Sequence, residues 1–155
     1  MVSKVPPRPE VAALQPDVHG GLDYKELARL GLAPDDLLDF SVNGNPFGPP
    51  PEVHAIRDDL AITRYPDRAC LALRAALTGH HRCAMEQVWV GNGAAELIWL
   101  LALAYLRPGD GTLIVSPTFG EYAVASRLMG ARVQICSTRP QDDFRPDVDA
   151  LVAQM

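Results

Sequence analysis

The sequence predicts an α/β chain built on a parallel sheet covered by helices, and three observations predict it. From Val88 onward the pattern alternates strand, helix, strand, helix, strand over Val88–Val90, Leu97–Leu106, Thr112–Val115, Phe119–Met129 and Arg132–Cys136, the order of βαβ units. Gly91-Asn92-Gly93 stands where the first of these strands empties into its helix. The run Leu97–Leu106 is apolar almost throughout yet about half the length that spans a bilayer, so it reads as a buried helix.

The elements before Val88 are less regular. Residues 1–18 carry four prolines and little periodicity and are expected to be an extended arm. Asp23–Leu30 reads as a short helix capped by Asp23 and closed by Gly31. Leu37–Ser41 is a short β-like run. It leads into Asn43-Gly44-Asn45-Pro46-Phe47-Gly48-Pro49-Pro50-Pro51, so rich in turn formers that only a rigid, non-repetitive loop fits. Glu52–Leu60 is expected to be a helix opening after the prolines, Arg64-Tyr65-Pro66-Asp67 to break it, and Leu71–Leu77 to form a helix ended by Gly79. Asp147–Gln154 begins another helix. A parallel sheet needs several strands covered on both faces, and barely three are laid down here. The expectation is therefore the front part of a larger protein, with an open sheet edge and bare apolar helix faces.

Composition narrows the function classes. With 155 residues, 48% hydrophobic and 21% charged, the chain belongs with soluble globular proteins rather than disordered ones. A net charge of −5 argues against nucleic acid, which needs a basic footprint, and no stretch reads as a membrane span. Cys70, Cys83 and Cys136 are an odd, scattered set that suits a reducing cytosol better than a disulfide framework. The proline-rich start lacks the apolar core of a signal peptide. His80 and His81 lie near Cys83, but adjacent histidines lack metal-site spacing and read as a solvated helix end.

The chemistry concentrates at Gly91-Asn92-Gly93-Ala94-Ala95-Glu96. A strand that turns through glycines into a helix points free backbone N–H groups and the positive end of a helix dipole into the turn, and the natural guest is a phosphate. A dinucleotide fold is the rival, through G-x-G-x-x-G. Here Glu96 replaces the third glycine, and the next strand ends in Ser116-Pro117 rather than in an acid for the ribose. A bare strand-to-helix turn is the other reading. It weakens because Ser116-Pro117-Thr118-Phe119-Gly120 follows the next strand and offers an aromatic ring from the same sheet edge, which suits a planar phosphorylated cofactor.

In order along the chain stand His19-Gly20-Gly21, Asp39-Phe40-Ser41-Val42-Asn43-Gly44-Asn45-Pro46-Phe47-Gly48-Pro49-Pro50, Arg64-Tyr65-Pro66-Asp67, Gly91-Asn92-Gly93-Ala94-Ala95-Glu96 and Ser116-Pro117-Thr118-Phe119-Gly120-Glu121-Tyr122. With these blocks the chain, from His19 to its last residue, resembles the N-terminal portion of a fold-type-I pyridoxal-phosphate enzyme of the histidinol-phosphate aminotransferase-like group. The His-Gly-Gly opening with D-F-S-x-N makes it most similar to the threonine-phosphate decarboxylases of cobalamin biosynthesis. The resemblance implies a partial three-layer αβα large domain. Residues 1–36 would be an N-terminal arm and short helix, and residues 37–155 the first part of the cofactor-binding domain.

The cofactor implied is pyridoxal 5'-phosphate, with its phosphate on Gly93, Ala94, Ala95 and Glu96, chiefly through backbone N–H groups. Phe119 matches the ring that stacks on the pyridine, the alternative being a plain core aromatic. Tyr65 matches a tyrosine that reaches the phosphate held by the neighbouring subunit of a homodimer, or is a surface ring. Asn43 matches a loop at the substrate carboxylate, with turn chemistry at Asn43 and Asn45 the equal alternative. His19 and Gly20 match a substrate contact.

The implied activity is decarboxylation of L-threonine O-3-phosphate. Its alternatives are transamination of histidinol phosphate or a related amino compound and, from another class, a non-catalytic remnant or dimerisation partner. Lys4 and Lys25 are the only lysines and lie outside the family's motif, so no catalytic residue is assigned. The Schiff-base lysine is absent, and this chain alone is expected to be inactive.

Overall fold

The computed structural model describes residues 5–14, 20–56 and 63–154. The chain divides into two compact units, residues 1–18 with 74–155 and residues 19–73.

In the first unit, β1 (Gly111–Ser116) and β2 (Arg132–Ser137) pair in parallel with Ile114 opposite Ile135 and Ser116 opposite Ser137. Between them runs α6 (Glu121–Leu128), and before them α5 (Gly93–Tyr105), the expected strand–helix–strand order, with β1 one residue longer at each end and β2 one residue longer at its C-terminal end. The reason for α6 is its one-sided pattern: Val124, Ala125 and Ser126 are buried. It closes with Gly130 at φ 76° while the Ala131 N–H reaches back to the Ser126 carbonyl at 3.1 Å, a glycine-closed helix end. Phe119 and Gly120 precede the helix, so it starts two residues later than expected. Ile114, Val124, Ala125 and Ala131, with Ala102 of α5, make a thin core.

The buried helix expected over Leu97–Leu106 is not found: Ala102 is the buried residue of α5, while Leu101, Leu103 and Tyr105 are exposed, the bare apolar helix face expected where a sheet is left with few strands. Ile98, Leu101 and Tyr105 also line a groove of about 490 Å³ with Leu113, Val115 and Tyr122. Among the described residues no helix is long and apolar enough to cross a membrane.

Three further expectations fail in this unit. Val88–Val90 is not a strand, since no described strand flanks it. Arg74 supplies its partner instead, donating from Nε to the Val88 carbonyl at 3.1 Å and from Nη2 to the Met85 carbonyl at 2.6 Å. The helix α4 (Leu71–His81) does not end at Gly79. Arg82 takes the left-handed position at φ 53°, and the Cys83 N–H bonds to the Thr78 carbonyl at 3.3 Å. The arm is not wholly extended either: α1 (Pro9–Ala12) is a short helical turn, with Pro9 in its first turn, where a missing N–H costs nothing. At the far end α7 (Val148–Val152) is capped by Asp147, whose carboxylate accepts the Ala150 N–H.

In the second unit, α2 (Tyr24–Leu30) begins and ends as expected. Asp23 accepts from the Lys25 and Glu26 amides, and Gly31 closes the helix at φ 69°. Then α3 (Pro51–Ile56) opens directly on the proline run; the expected continuation over 57–60 lies outside the described residues. Leu37–Ser41 is not a strand. Leu38 and Phe40 are almost fully exposed, and Asp39 turns the chain by accepting the Ser41 N–H at 2.7 Å.

Candidate cofactor and substrate site

The turn into α5 is built by glycines for two separate reasons. Gly93 sits at φ +83°, open to solvent on its Cβ side, a conformation that costs other residues about 1–2 kcal/mol. At Gly91 a Cβ would meet Glu96 Oε2 at 2.8 Å and Leu97 Cδ2 at 3.0 Å. The Glu96 carboxylate folds back to accept the Asn92 N–H, and the Gly93 N–H bonds to the Gly91 carbonyl at 2.9 Å. The Asn92 side chain does not cap the helix. Among the described residues, no acceptor meets the N–H groups of Ala94 and Ala95.

An anion placed there meets two aligned donors and a thirteen-residue helix dipole, an interaction worth up to about 2 kcal/mol when partly buried. Glu96 can serve such an anion through its backbone alone, because its carboxylate is negative and already engaged.

Phe119 lies just past the end of β1, after the cis Ser116–Pro117 bond. It is 42% exposed. Its ring meets Tyr122 edge to face, centroids 6.5 Å apart at 88°. The strand end beneath it is fixed by Thr138, whose N–H and Oγ–H both donate to the Ser116 carbonyl, at 2.7 and 2.8 Å. The first residue of α6, Glu121, accepts the Trp99 indole N–H at 2.7 Å.

The candidate substrate residues belong to the other unit. His19 lies outside the described residues. Gly20 packs so closely that a Cβ would stand 1.9 Å from the Ser41 carbonyl oxygen, and the Gly21 N–H donates to Ser41 Oγ at 2.8 Å. Ser41 Oγ–H in turn donates to Asp39 at 2.6 Å. That hydroxyl first, and the Ser41 amide second, hold the Asp39 carboxyl below the usual aspartate value. The Gly20-Gly21 pair and the D-F-S-x-N block are therefore joined in space.

The two asparagines of the loop separate. Asn45 is spent on the turn, donating to the Gly48 carbonyl at 2.8 Å and accepting the Phe47 N–H at 3.1 Å. Asn43 has no hydrogen bond among the described residues and is exposed. Tyr65 is fully exposed. Beside it Asp67 caps α4, accepting from Leu71 N–H at 2.8 Å and Ala69 N–H at 2.9 Å. His80 and His81 are exposed and stack edge to face, and no metal-holding cluster occurs among the described residues.

Sequence reasoning missed Arg74, Trp99, Glu121 and the role of Ser41. The Trp99–Glu121 contact spans 22 positions, and no local pattern announces it. Ser41 did carry a signal, since Asp-x-Ser is a turn pair.

Known proteins match this chain in sequence and fold. Histidinol-phosphate aminotransferase of Natronomonas pharaonis is 38% identical over 135 residues, covering 85% of this chain and 38% of that protein. Threonine-phosphate decarboxylase of Salmonella typhimurium is 37% identical over 151 residues, covering 90% and 41%. Among solved structures, a Thermus thermophilus aspartate aminotransferase mutant superimposes with TM-score 0.76 at 26% identity, over 99% of this chain and 42% of that one. Histidinol-phosphate aminotransferase of Sinorhizobium meliloti, solved with pyridoxal-5'-phosphate, gives TM-score 0.74 at 18% identity over 99% and 40%, a likeness of fold. The chain thus spans about two fifths of the length of these relatives. The family model of aminotransferase class I and II matches residues 35–155, and the chain belongs to that family, with the fold of its fold-type-I members.

Proposed function

We propose that residues 1–155 form the cofactor-phosphate and substrate-entry portion of a pyridoxal 5'-phosphate enzyme that decarboxylates L-threonine O-3-phosphate. The observation that carries the cofactor assignment is the pair of unpartnered amides at Ala94 and Ala95 on the same unit as the half-exposed Phe119 ring. In this reading the amides of Gly93–Glu96 hold the phosphate, Phe119 covers one ring face, and Tyr65 completes the phosphate site of a second copy in a homodimer. Bound there, the cofactor supplies an electron sink for the bond broken at the substrate α-carbon.

On the substrate side, Gly20 and Gly21 are held next to the Asn43 loop by the Ser41 latch, and Asn43 offers an unspent amide to a carboxylate. No lysine follows Lys25, so the lysine that carries the cofactor comes from polypeptide outside these residues. The 155 residues alone are inactive in this reading.

The decarboxylase reading rests on the presence of the His-Gly-Gly and D-F-S-x-N blocks in the sequence, with Gly20 and Gly21 packed on Ser41. Transamination of histidinol phosphate is the second reading, favoured by the Natronomonas relative. The assembled enzyme, loaded with pyridoxal 5'-phosphate, is offered each substrate. Carbon dioxide released from L-threonine O-3-phosphate, with 1-amino-2-propanol phosphate left behind, is the expected result. Amino transfer from histidinol phosphate without carbon dioxide selects the second reading, and activity on neither overturns both. Gly93→Ala is expected to weaken cofactor binding about tenfold, from backbone strain of about 1–2 kcal/mol. Unchanged binding removes the turn from the site.

A further inference from the structure

We infer that Trp99 and Glu121 form a positioning couple that fixes the Phe119 ring relative to the phosphate turn of α5. The inference rests on the cofactor reading above and adds two residues that touch neither phosphate nor ring. Trp99 lies six residues after Gly93, about 9 Å along the helix axis, so the indole moves rigidly with the turn. Its N–H donates to Glu121 Oε2 at 2.7 Å in a half-buried setting. Glu121 is the first residue of α6, two positions after Phe119.

The segment between is itself tied down. The Gly120 carbonyl accepts the Ala123 and Val124 amides at 3.0 and 3.1 Å, the Tyr122 carbonyl accepts Ser126 Oγ–H at 2.7 Å, and the Tyr122 ring abuts Phe119. An unbroken series of contacts therefore links the α5 turn, Trp99, Glu121, the start of α6 and the Phe119 ring. A hydrogen bond to a carboxylate is stronger and more directional than a neutral one. Directionality is what a spacing device needs.

The test compares Trp99→Phe, Glu121→Leu and Glu121→Gln with the unmutated full-length enzyme, each freed of cofactor before titration, using two probes. Inorganic phosphate, followed by phosphorus NMR, reads the amide cradle alone. Pyridoxal 5'-phosphate, followed by the circular dichroism its ring acquires when held in one orientation, reads the cradle and the ring together. Trp89, on the strand-side flank of the turn, remains as a fluorescence reporter of occupancy when Trp99 is replaced.

The expected result is a loss of about tenfold in pyridoxal 5'-phosphate affinity, with a weakened ring signal, in Trp99→Phe and Glu121→Leu. Phosphate affinity stays unchanged, and Glu121→Gln, which keeps an acceptor oxygen, behaves like the unmutated protein. Equal loss for both probes together with a lowered melting temperature shows a merely structural contact and overturns the inference, as does cofactor binding unchanged in Trp99→Phe. Failure of the unmutated protein to bind either probe sinks the cofactor reading itself, which separates the two.

Discussion

In the unit that carries the sheet, Ile114, Val124, Ala125 and Ala131 are buried and the strands pair over six registers. In the unit of residues 19–73, Leu27 is buried, and the chain is shaped mainly by short polar side chains bonding to nearby backbone. Asp23, Asp39, Asn45 and Asp67 each accept amides two to four residues on, and Ser41 reaches across to Gly21. Apolar burial holds the sheet unit, whereas local hydrogen bonds in water shape residues 19–73. Each exposed bond is worth about 0.5–1.5 kcal/mol, so the second region holds its form by turn geometry and has little packing in reserve.

The largest effect that tests this contrast is expected at Ile114. Its replacement by Ala removes a buried side chain opposite Ile135, and losses of about 2–5 kcal/mol follow from such truncations. Urea unfolding reads the loss, which should broaden or abolish the transition of the sheet unit. A change within about 0.5 kcal/mol, the range of ordinary surface substitutions, would show that burial at β1 does not hold this unit. The contrast would then fail.

Gly20→Ala is the next test, aimed at the other region. The added Cβ would fall 1.9 Å from the Ser41 carbonyl oxygen, backbone that cannot swing aside as a long side chain can. Overpacking of this kind costs about 1–3 kcal/mol. The prediction is local: hydrogen exchange at the Gly21 amide accelerates as its bond to Ser41 opens, while the β1–β2 amides keep their protection. Loss of protection in the sheet as well would mean that the two regions are not separately held.

The same contrast explains what could be read in advance. The periodic elements after Val88 were legible because burial imposes period: α5, β1, α6 and β2 all stand within two residues of expectation, apart from the four residues by which α5 starts early at Gly93. Where burial is absent the pattern misleads. Leu37–Ser41 alternates like a strand, yet nothing pairs with it, and the Asp39 side chain outcompetes extended structure. Val88–Val90 is extended but bonded by Arg74 instead of a ladder, a contact from another helix that sequence periodicity cannot encode.

Gly79 carried the expected stop signal, but a glycine can also sit inside a helix, and Arg82 accepted the left-handed position. The turn into α5 was legible because glycines report backbone demands directly. The Trp99–Glu121 bond was not, because it depends on how two helices meet.

The smallest expected effect concerns charge at Asp67, whose carboxylate caps α4 from a fully exposed position. The Leu71 amide first, and the Ala69 amide second, hold its carboxyl below the ordinary value of 3.8. The folded state therefore takes up the proton less readily than the unfolded chain. The resulting stabilisation is fully present above pH 3.8 and is lost as pH falls below that value through the folded-state titration. Asp67→Asn keeps an acceptor oxygen but has no proton to gain. Its melting temperature should lie below that of the unmutated protein at neutral pH, and the two should converge on acidification. A gap that stays constant into strong acid would assign the cap to geometry alone. Solvent screening keeps the effect small in either case, and it sharpens the contrast rather than deciding it: a cap of this kind can be lost while the sheet unit, with no carboxylate in its buried core, keeps its fold.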